Sequence, residues 1–302
     1  MGTALHREHQ REAPRGRAEE FAREHAIERA HGSYEALLAD PDVDAIYNPL
    51  PNSLHVEWSI RALEAGKHVL CEKPMSRRPA EVERAFAAAE RTGLVLEEAF
   101  MWRHHPQTLR LRELLDEGVI GRLRMVKATF SFPLADVSNI RMQADLDGGS
   151  LMDVGCYCVS GCRVVAGAEP ERVYAEQVIG GDDVDVALAA TLRFPGDVIG
   201  SFHCGFSIGG RHHLEAIGDE ASLFLSDPWH GRSPGIERRS EAGVERIAID
   251  DANPYTHELV DFARAARGEA SPLLGKRDAL AQARAIEALH ASAADSTTKG
   301  LT

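Results

Sequence analysis

Aromatic residues make up only 6% of this chain, and no apolar run approaches the roughly 18 residues that a membrane-crossing helix needs. The N-terminus also lacks the apolar core of a secretion signal, so the cytoplasm is the expected location. Basic residues are in deficit, with 34 Lys and Arg against 47 Asp and Glu and a net charge of −13. That balance disfavours nucleic acid and anionic membrane as partners and favours solubility. Cysteine is scarce: Cys71, Cys156, Cys158, Cys162 and Cys204 are odd in number and lack framework spacing, which reads as reduced thiols. Cys158 and Cys162 would share a face of an expected helix and make a metal pair conceivable. With no Cys-x-x-Cys and no His-rich partner nearby, small buried packing residues are the weightier reading, and no metal is expected.

What is present is an alternation of short apolar runs with helical patterns, without internal repeat or low-complexity linker. Residues 43–47 read as a strand, 48–52 as a breaker cluster, and 53–65 as a helix with Ser53 as N-cap and Gly66 as stop. A strand at 67–71, a helix at 79–91 and a strand at 94–99 follow. This order implies an α/β fold with a Rossmann-type parallel sheet covered on both faces. In such sheets ligands sit beyond the carboxyl ends of the strands, where residues 48–52 and 72–74 fall.

The second half has a different rhythm. A helix at 107–117, a strand at 122–132 and a helix at 150–165 precede strands at 172–179, 184–194, 198–206, 212–217 and 222–225. Pro195-Gly196-Asp197 between two alternating runs is a hairpin signal. An α+β domain with a large, mostly antiparallel sheet is expected, followed by helices at 255–267 and 276–292. Residues 238–245 are polar enough to read as a surface excursion. The chain thus divides into residues 1–104 and residues 105–302, consistent with about two domains at 302 residues.

Cys71-Glu72-Lys73-Pro74 is the most telling stretch, because a lysine where a buried strand meets a loop, fixed by a proline, looks like a catalytic group. Together with Leu50-Pro51-Asn52-Ser53-Leu54-His55, Glu98-Ala99-Phe100-Met101-Trp102-Arg103-His104-His105-Pro106 and Gly148-Gly149-Ser150-Leu151-Met152-Asp153-Val154-Gly155-Cys156-Tyr157, in that order, it resembles the Gfo/Idh/MocA oxidoreductases. The resemblance runs from about residue 17 to the C-terminus. It implies hydride transfer between a nicotinamide and a sugar, a sugar derivative or a related diol. It further implies a homodimer or homotetramer formed through the open face of the second sheet.

Such a reaction needs a side chain that gives or takes the hydroxyl proton at hydrogen-bond distance. The branch of the family with Tyr at this position uses Lys and Tyr together. The resemblance therefore assigns Tyr157 as proton donor or acceptor, Lys73 as its electrostatic partner or the acid itself, and Asp153 as an anchor for a substrate hydroxyl. Asp153 and Tyr157, four apart, would share one helix face, and a nearby Lys73 ammonium would lower the phenol pKa. Leu50, Pro51, Asn52, His55, Glu72, Pro74, Trp102 and Arg103 would meet the cofactor. Plainer readings stand beside these: Lys73 as a strand-end lysine, Tyr157 as a core tyrosine, Asp153 as a helix N-terminal charge, Pro51 and Asn52 as a turn, and Trp102 as domain-interface packing.

The chain also departs from the family. Members open with a strand, a glycine-rich turn, a helix and a second strand, which hold the dinucleotide pyrophosphate. Residues 1–17 are polar and charged instead, and residues 17–25 look like the helix that follows that second strand. A start recorded too late or a reading frame altered upstream is favoured over a genuine variant, since loss of a central strand exposes its neighbours' edges. A catalytically silent homologue acting as a dimerisation or sugar-binding module is the alternative. Arg11, at about the spacing of a 2′-phosphate reader, inclines the cofactor toward NADP over NAD.

Overall fold

The computed structural model describes residues 15–301, and it begins with helices α1 (Arg15–Glu24) and α2 (Tyr34–Leu38). Arg11 and the rest of residues 1–14 lie outside the described residues. Next come β1 (Ala45–Asn48), α3 (His55–Glu64), β2 (His68–Glu72), α4 (Pro79–Thr92) and β3 (Leu96–Ala99). Among the described residues the three strands form a parallel sheet in the order β1-β2-β3, with Tyr47 opposite Leu70 and Cys71 opposite Glu98. Val69, Leu70 and Cys71 of the middle strand are all buried, as a strand covered on both faces requires. Helix α4 starts on Pro79, ends at Gly93 with φ +69°, and lays Val82, Phe86 and Ala89 against the sheet.

The helix expected from Ser53 begins differently. Asn52–Leu54 is a 3₁₀ turn, α3 starts at His55, and the Ser53 hydroxyl caps nothing and is buried without a partner. The loop is tied down by Asn48 instead, whose Nδ2 donates to His55 O at 3.0 Å and to Ser59 Oγ at 3.1 Å. A donor at the end of the preceding strand thus anchors the first turn through its carbonyl, and the helix has no side-chain N-cap.

The second layer contains α5 (Pro106–Asp116), β4 (Leu123–Ser131), α6 (Cys156–Ala166), β5 (Arg172–Ile179), β6 (Asp185–Phe194), β7 (Val198–Gly205), β8 (Arg211–Gly218), β9 (Ser222–Leu225), β10 (Ile236–Ser240) and β11 (Gly243–Ile247). Helices α7 (Pro254–Ala266) and α8 (Lys276–Asp295) and the short β12 (Lys299–Gly300) complete it. The nine strands run β11-β10-β9-β8-β4-β7-β6-β5-β12, all neighbours antiparallel except β4 and β7. Helix α6 covers one face, packing Val159 and Cys162 into the core that Leu192, Phe202 and Leu214 share. On β5, Tyr174 and Val178 stay exposed. The stretch read as a surface excursion is in fact the β10–β11 hairpin. Its strands pair through Arg238↔Glu245 and Arg239↔Val244 at the sheet edge, where β11 meets water on both faces and no apolar alternation marks it.

Helix α8 joins the two layers. Its Ala279 and Ala283 pack under the parallel sheet, while Ile286 and Leu289 belong to the core of the large one. Arg163 on α6, with a side chain only 4% exposed, pairs with Glu169 at 2.6 Å and Asp278 at 3.3 Å, fixing α6 against α8. No helix among the described residues is long and apolar enough to cross a membrane.

Candidate active site

A cavity of about 600 Å³ opens between the carboxyl ends of β1 and β2 and the inner side of the large sheet. Leu50, Pro51, Asn52, His55, Glu72, Lys73, Asp153 and Tyr157 all line it. The short turns after the parallel strands bring the first six together, and the segment entering α6 brings the last two.

That segment is not a regular helix from Ser150. Leu151–Gly155 forms a π-helical turn before α6 begins at Cys156, and Asp153 and Tyr157, on either side of that junction, both face the cavity. The entry is fixed by Asp185, whose carboxylate accepts from Ser150 Oγ at 2.6 Å and Leu151 N at 2.8 Å. Gly149, at φ +109°, lies where a Cβ would come within 2.3 Å of that carboxylate, and Gly148 packs on the backbone of Arg141. The paired glycines are there for close approach.

Lys73 reaches across the cavity. Its Nζ donates to Asp153 O at 2.8 Å, lies 3.6 Å from Asp153 Oδ1, and sits 4.7 Å from the centroid of the Tyr157 ring. Burial works against the ammonium, but the Cys156 thiol, Asp153 and Glu72 outweigh it and hold the Lys73 pKa above the ordinary lysine value. Asp153 is in turn paired with Arg141, Nε to Oδ2 at 2.8 Å. Its carboxylate thus faces two cations while still lining the cavity.

Tyr157 differs from expectation. Its pKa is raised well above that of a free phenol, first by burial and then by Glu72, Cys156, Tyr255 and Asp153. The Lys73 ammonium lies over the ring face, while the hydroxyl donates to Met101 Sδ at 3.4 Å. Both groups hold their protons at neutral pH.

On the parallel-sheet side, Asn52 Nδ2 donates to Asp147 O at 2.8 Å, and Glu72 accepts from the Tyr47 hydroxyl and from Lys73 N. Pro74 contributes its carbonyl, which accepts from His55 Nδ1 at 3.0 Å; His55 Nε2 is left buried and unpartnered. Trp102 and Arg103 are turned away from the cavity. Trp102 is fully buried edge-on to Trp229 at 5.2 Å, and Arg103 lies 3.5 Å from Asp278. The 3₁₀ turn Met101–His104 sends only Met101 toward the site. Phe130, Arg141, His212, His230, Arg232 and Tyr255 also line the cavity and were not singled out from the sequence.

Residues 12–100 match the family described as "Oxidoreductase family, NAD-binding Rossmann fold", and residues 108–224 match "GFO/IDH/MocA C-terminal domain". The chain belongs to the Gfo/Idh/MocA oxidoreductase family. It is 36% identical over 282 residues to D-xylose 1-dehydrogenase (NADP(+)) 2 of Haloferax volcanii, covering 92% of this chain and 86% of that protein. An uncharacterized oxidoreductase of Rhizobium meliloti is 39% identical, covering 71% of this chain and 64% of its own length. The chain thus spans less than two thirds of that relative. A crystal structure of a 3-ketoreductase from Actinomadura kijaniata with NADP and TDP-benzene superimposes with a TM-score of 0.87 at 34% identity, covering 92% of this chain and 86% of the other.

Proposed function

We propose that this chain is a nicotinamide-dependent oxidoreductase that interconverts a carbonyl and a hydroxyl on a sugar, a sugar derivative or a related diol. The observation that carries the reading is the Lys73 ammonium, 12% exposed, held at the cavity wall by Asp153 with the Tyr157 ring beneath it. A cationic acid in a part-buried pocket is what stabilises developing charge on a substrate oxygen.

The cavity wall fits the nicotinamide end of such a cofactor: it carries polar His55, Asn52 and Glu72 beside Leu50 and Pro51, and His55 Nε2 has no hydrogen-bond partner among the described residues. Leu50, Pro51, Asn52, His55, Glu72 and Lys73 would hold it, and when bound it supplies or accepts the hydride. Lys73 and Tyr157 hold the proton, at Nζ and at the phenol oxygen. In the carbonyl-to-alcohol direction this pair gives the proton, and in the reverse direction the same atoms take it back. Asp153 positions Lys73, and Met101 and Phe130 line an apolar wall beside Tyr157.

NADP is preferred over NAD in this reading, supported by the names of the xylose dehydrogenase and of the ketoreductase complex. A cytoplasmic homo-oligomer joined through the open face of the large sheet completes it, with exposed Tyr174 and Val178 as its support. Titration of the full chain with NADPH and NADH, followed by nicotinamide fluorescence, tests the proposal. Saturable binding, tighter for NADPH, is expected; a folded chain that binds neither overturns it and leaves the binding-module alternative.

A further inference from the structure

The cavity end beyond Phe130 has no part in the chemistry proposed above. From Tyr157 the Phe130 ring lies at 5.3 Å, and on it pack His212 at 4.9 Å and His230 at 5.4 Å. His230 is oriented by Asp227, which also accepts from Arg232 N at 2.9 Å. His212 Nδ1 is buried without a hydrogen-bond partner. Among the described residues the Arg232 guanidinium has neither a hydrogen bond nor an ion pair.

Charge points the same way. Histidines aside, the cavity wall carries three cations, Lys73, Arg141 and Arg232, against two carboxylates, Glu72 and Asp153. Both carboxylates are taken up, Asp153 by Arg141 and Lys73, and Glu72 by Tyr47 and Lys73 N. The surplus cation is Arg232, in a chain whose net charge is −13. Arg232 is exposed at the mouth of the cavity, and a guanidinium there that among the described residues has no side-chain partner offers an oxyanion forked N–H donors that a neutral hydroxyl does not match.

We infer that Arg232, with His212 and His230, forms an oxyanion subsite, and that the substrate is a sugar-sized molecule carrying a carboxylate or a phosphate away from its reacting carbon. This rests on the proposed oxidoreductase reading for the position of the reacting carbon, but not for the binding itself. The test is calorimetric titration of the full chain with glucuronate, glucose 6-phosphate and glucose, with and without NADPH, repeated on Arg232→Gln. At least one anion should bind about tenfold or more tighter than glucose, and Arg232→Gln should remove that preference while leaving glucose unchanged. Which anion binds tells carboxylate from phosphate.

Equal binding of all three sugars, or anion binding untouched by Arg232→Gln, overturns the inference. So does anion binding that NADPH displaces, since Arg232 would then belong to the cofactor. Arg232-dependent anion binding by a chain that turns over no sugar with either nicotinamide keeps the subsite and removes the redox reading. Turnover of neutral sugars without anion preference does the reverse.

Discussion

On the cavity wall built from the parallel sheet, polar atoms are held largely by backbone: Asn48 by the His55 carbonyl, His55 by the Pro74 carbonyl, Asn52 by the Asp147 carbonyl and Lys73 by the Asp153 carbonyl. On the opposite wall, built from β4, β8 and the loop carrying His230, side chains meet mostly one another. Phe130, His212 and His230 form an aromatic group, and among the described residues the Tyr157 hydroxyl finds only a thioether and the Arg232 guanidinium no partner. Backbone partners do not move when a side chain is exchanged, so the first wall suits groups whose placement must be reproducible. The second can be repacked by substitution without disturbing the first. In the proposed reading Lys73 belongs to the first wall, and Tyr157 and Arg232 to the second.

The sharpest way to break that comparison is Lys73→Ala. If the first wall carries the chemistry, steady-state turnover should fall by about 10²–10⁴ with every substrate, while circular dichroism shows the fold retained. An active Lys73→Ala enzyme would remove the lysine from the mechanism. Tyr157→Phe follows, with an expected loss of about 10² in kcat if the phenol gives the proton. Its hydroxyl has only the weak Met101 sulphur as partner, so the cost in folding stability should stay under about 1 kcal/mol and the two effects can be read apart. An unchanged rate would assign the whole proton transfer to Lys73.

The two walls also differed in how far the sequence foretold them. The α/β and antiparallel halves were legible because strand and helix periodicity dominated each, and Lys73, Asp153 and Tyr157 stood in ordered motifs. The β10–β11 hairpin was not, because a strand wet on both faces has no alternation to read. Nor was the π turn before α6, whose first residues are held by Asp185 on a strand far along the chain. Trp102 and Arg103 share a motif with Met101, yet a 3₁₀ turn points them to different neighbours. Arg141, His212 and Arg232 come from a 3₁₀ turn, the start of an interior strand and a loop, and only tertiary structure brings them to one cavity.

Arg141 gives the smallest effect and the one most specific to geometry. Its guanidinium pairs with Asp153, which in turn faces Lys73, so it opposes the rise that Asp153 imposes on the lysine pKa. Reduction needs the protonated lysine, which is present below its pKa and lost above it. Arg141→Gln removes a nearby positive charge, so the alkaline fall in kcat for reduction should move to higher pH. Asp153→Asn should move it lower. With the Arg141 side chain 41% exposed, solvent screens the interaction, and the shift should stay below about one pH unit. For oxidation, which needs the neutral amine, Arg141→Gln should slow kcat at fixed pH by less than about tenfold. Opposite displacements of the two pH profiles are the signature of a positioning role acting through Lys73. Displacements in the same direction would mean that Asp153 and Arg141 act on the substrate itself, and the division between the two walls would fail at this point.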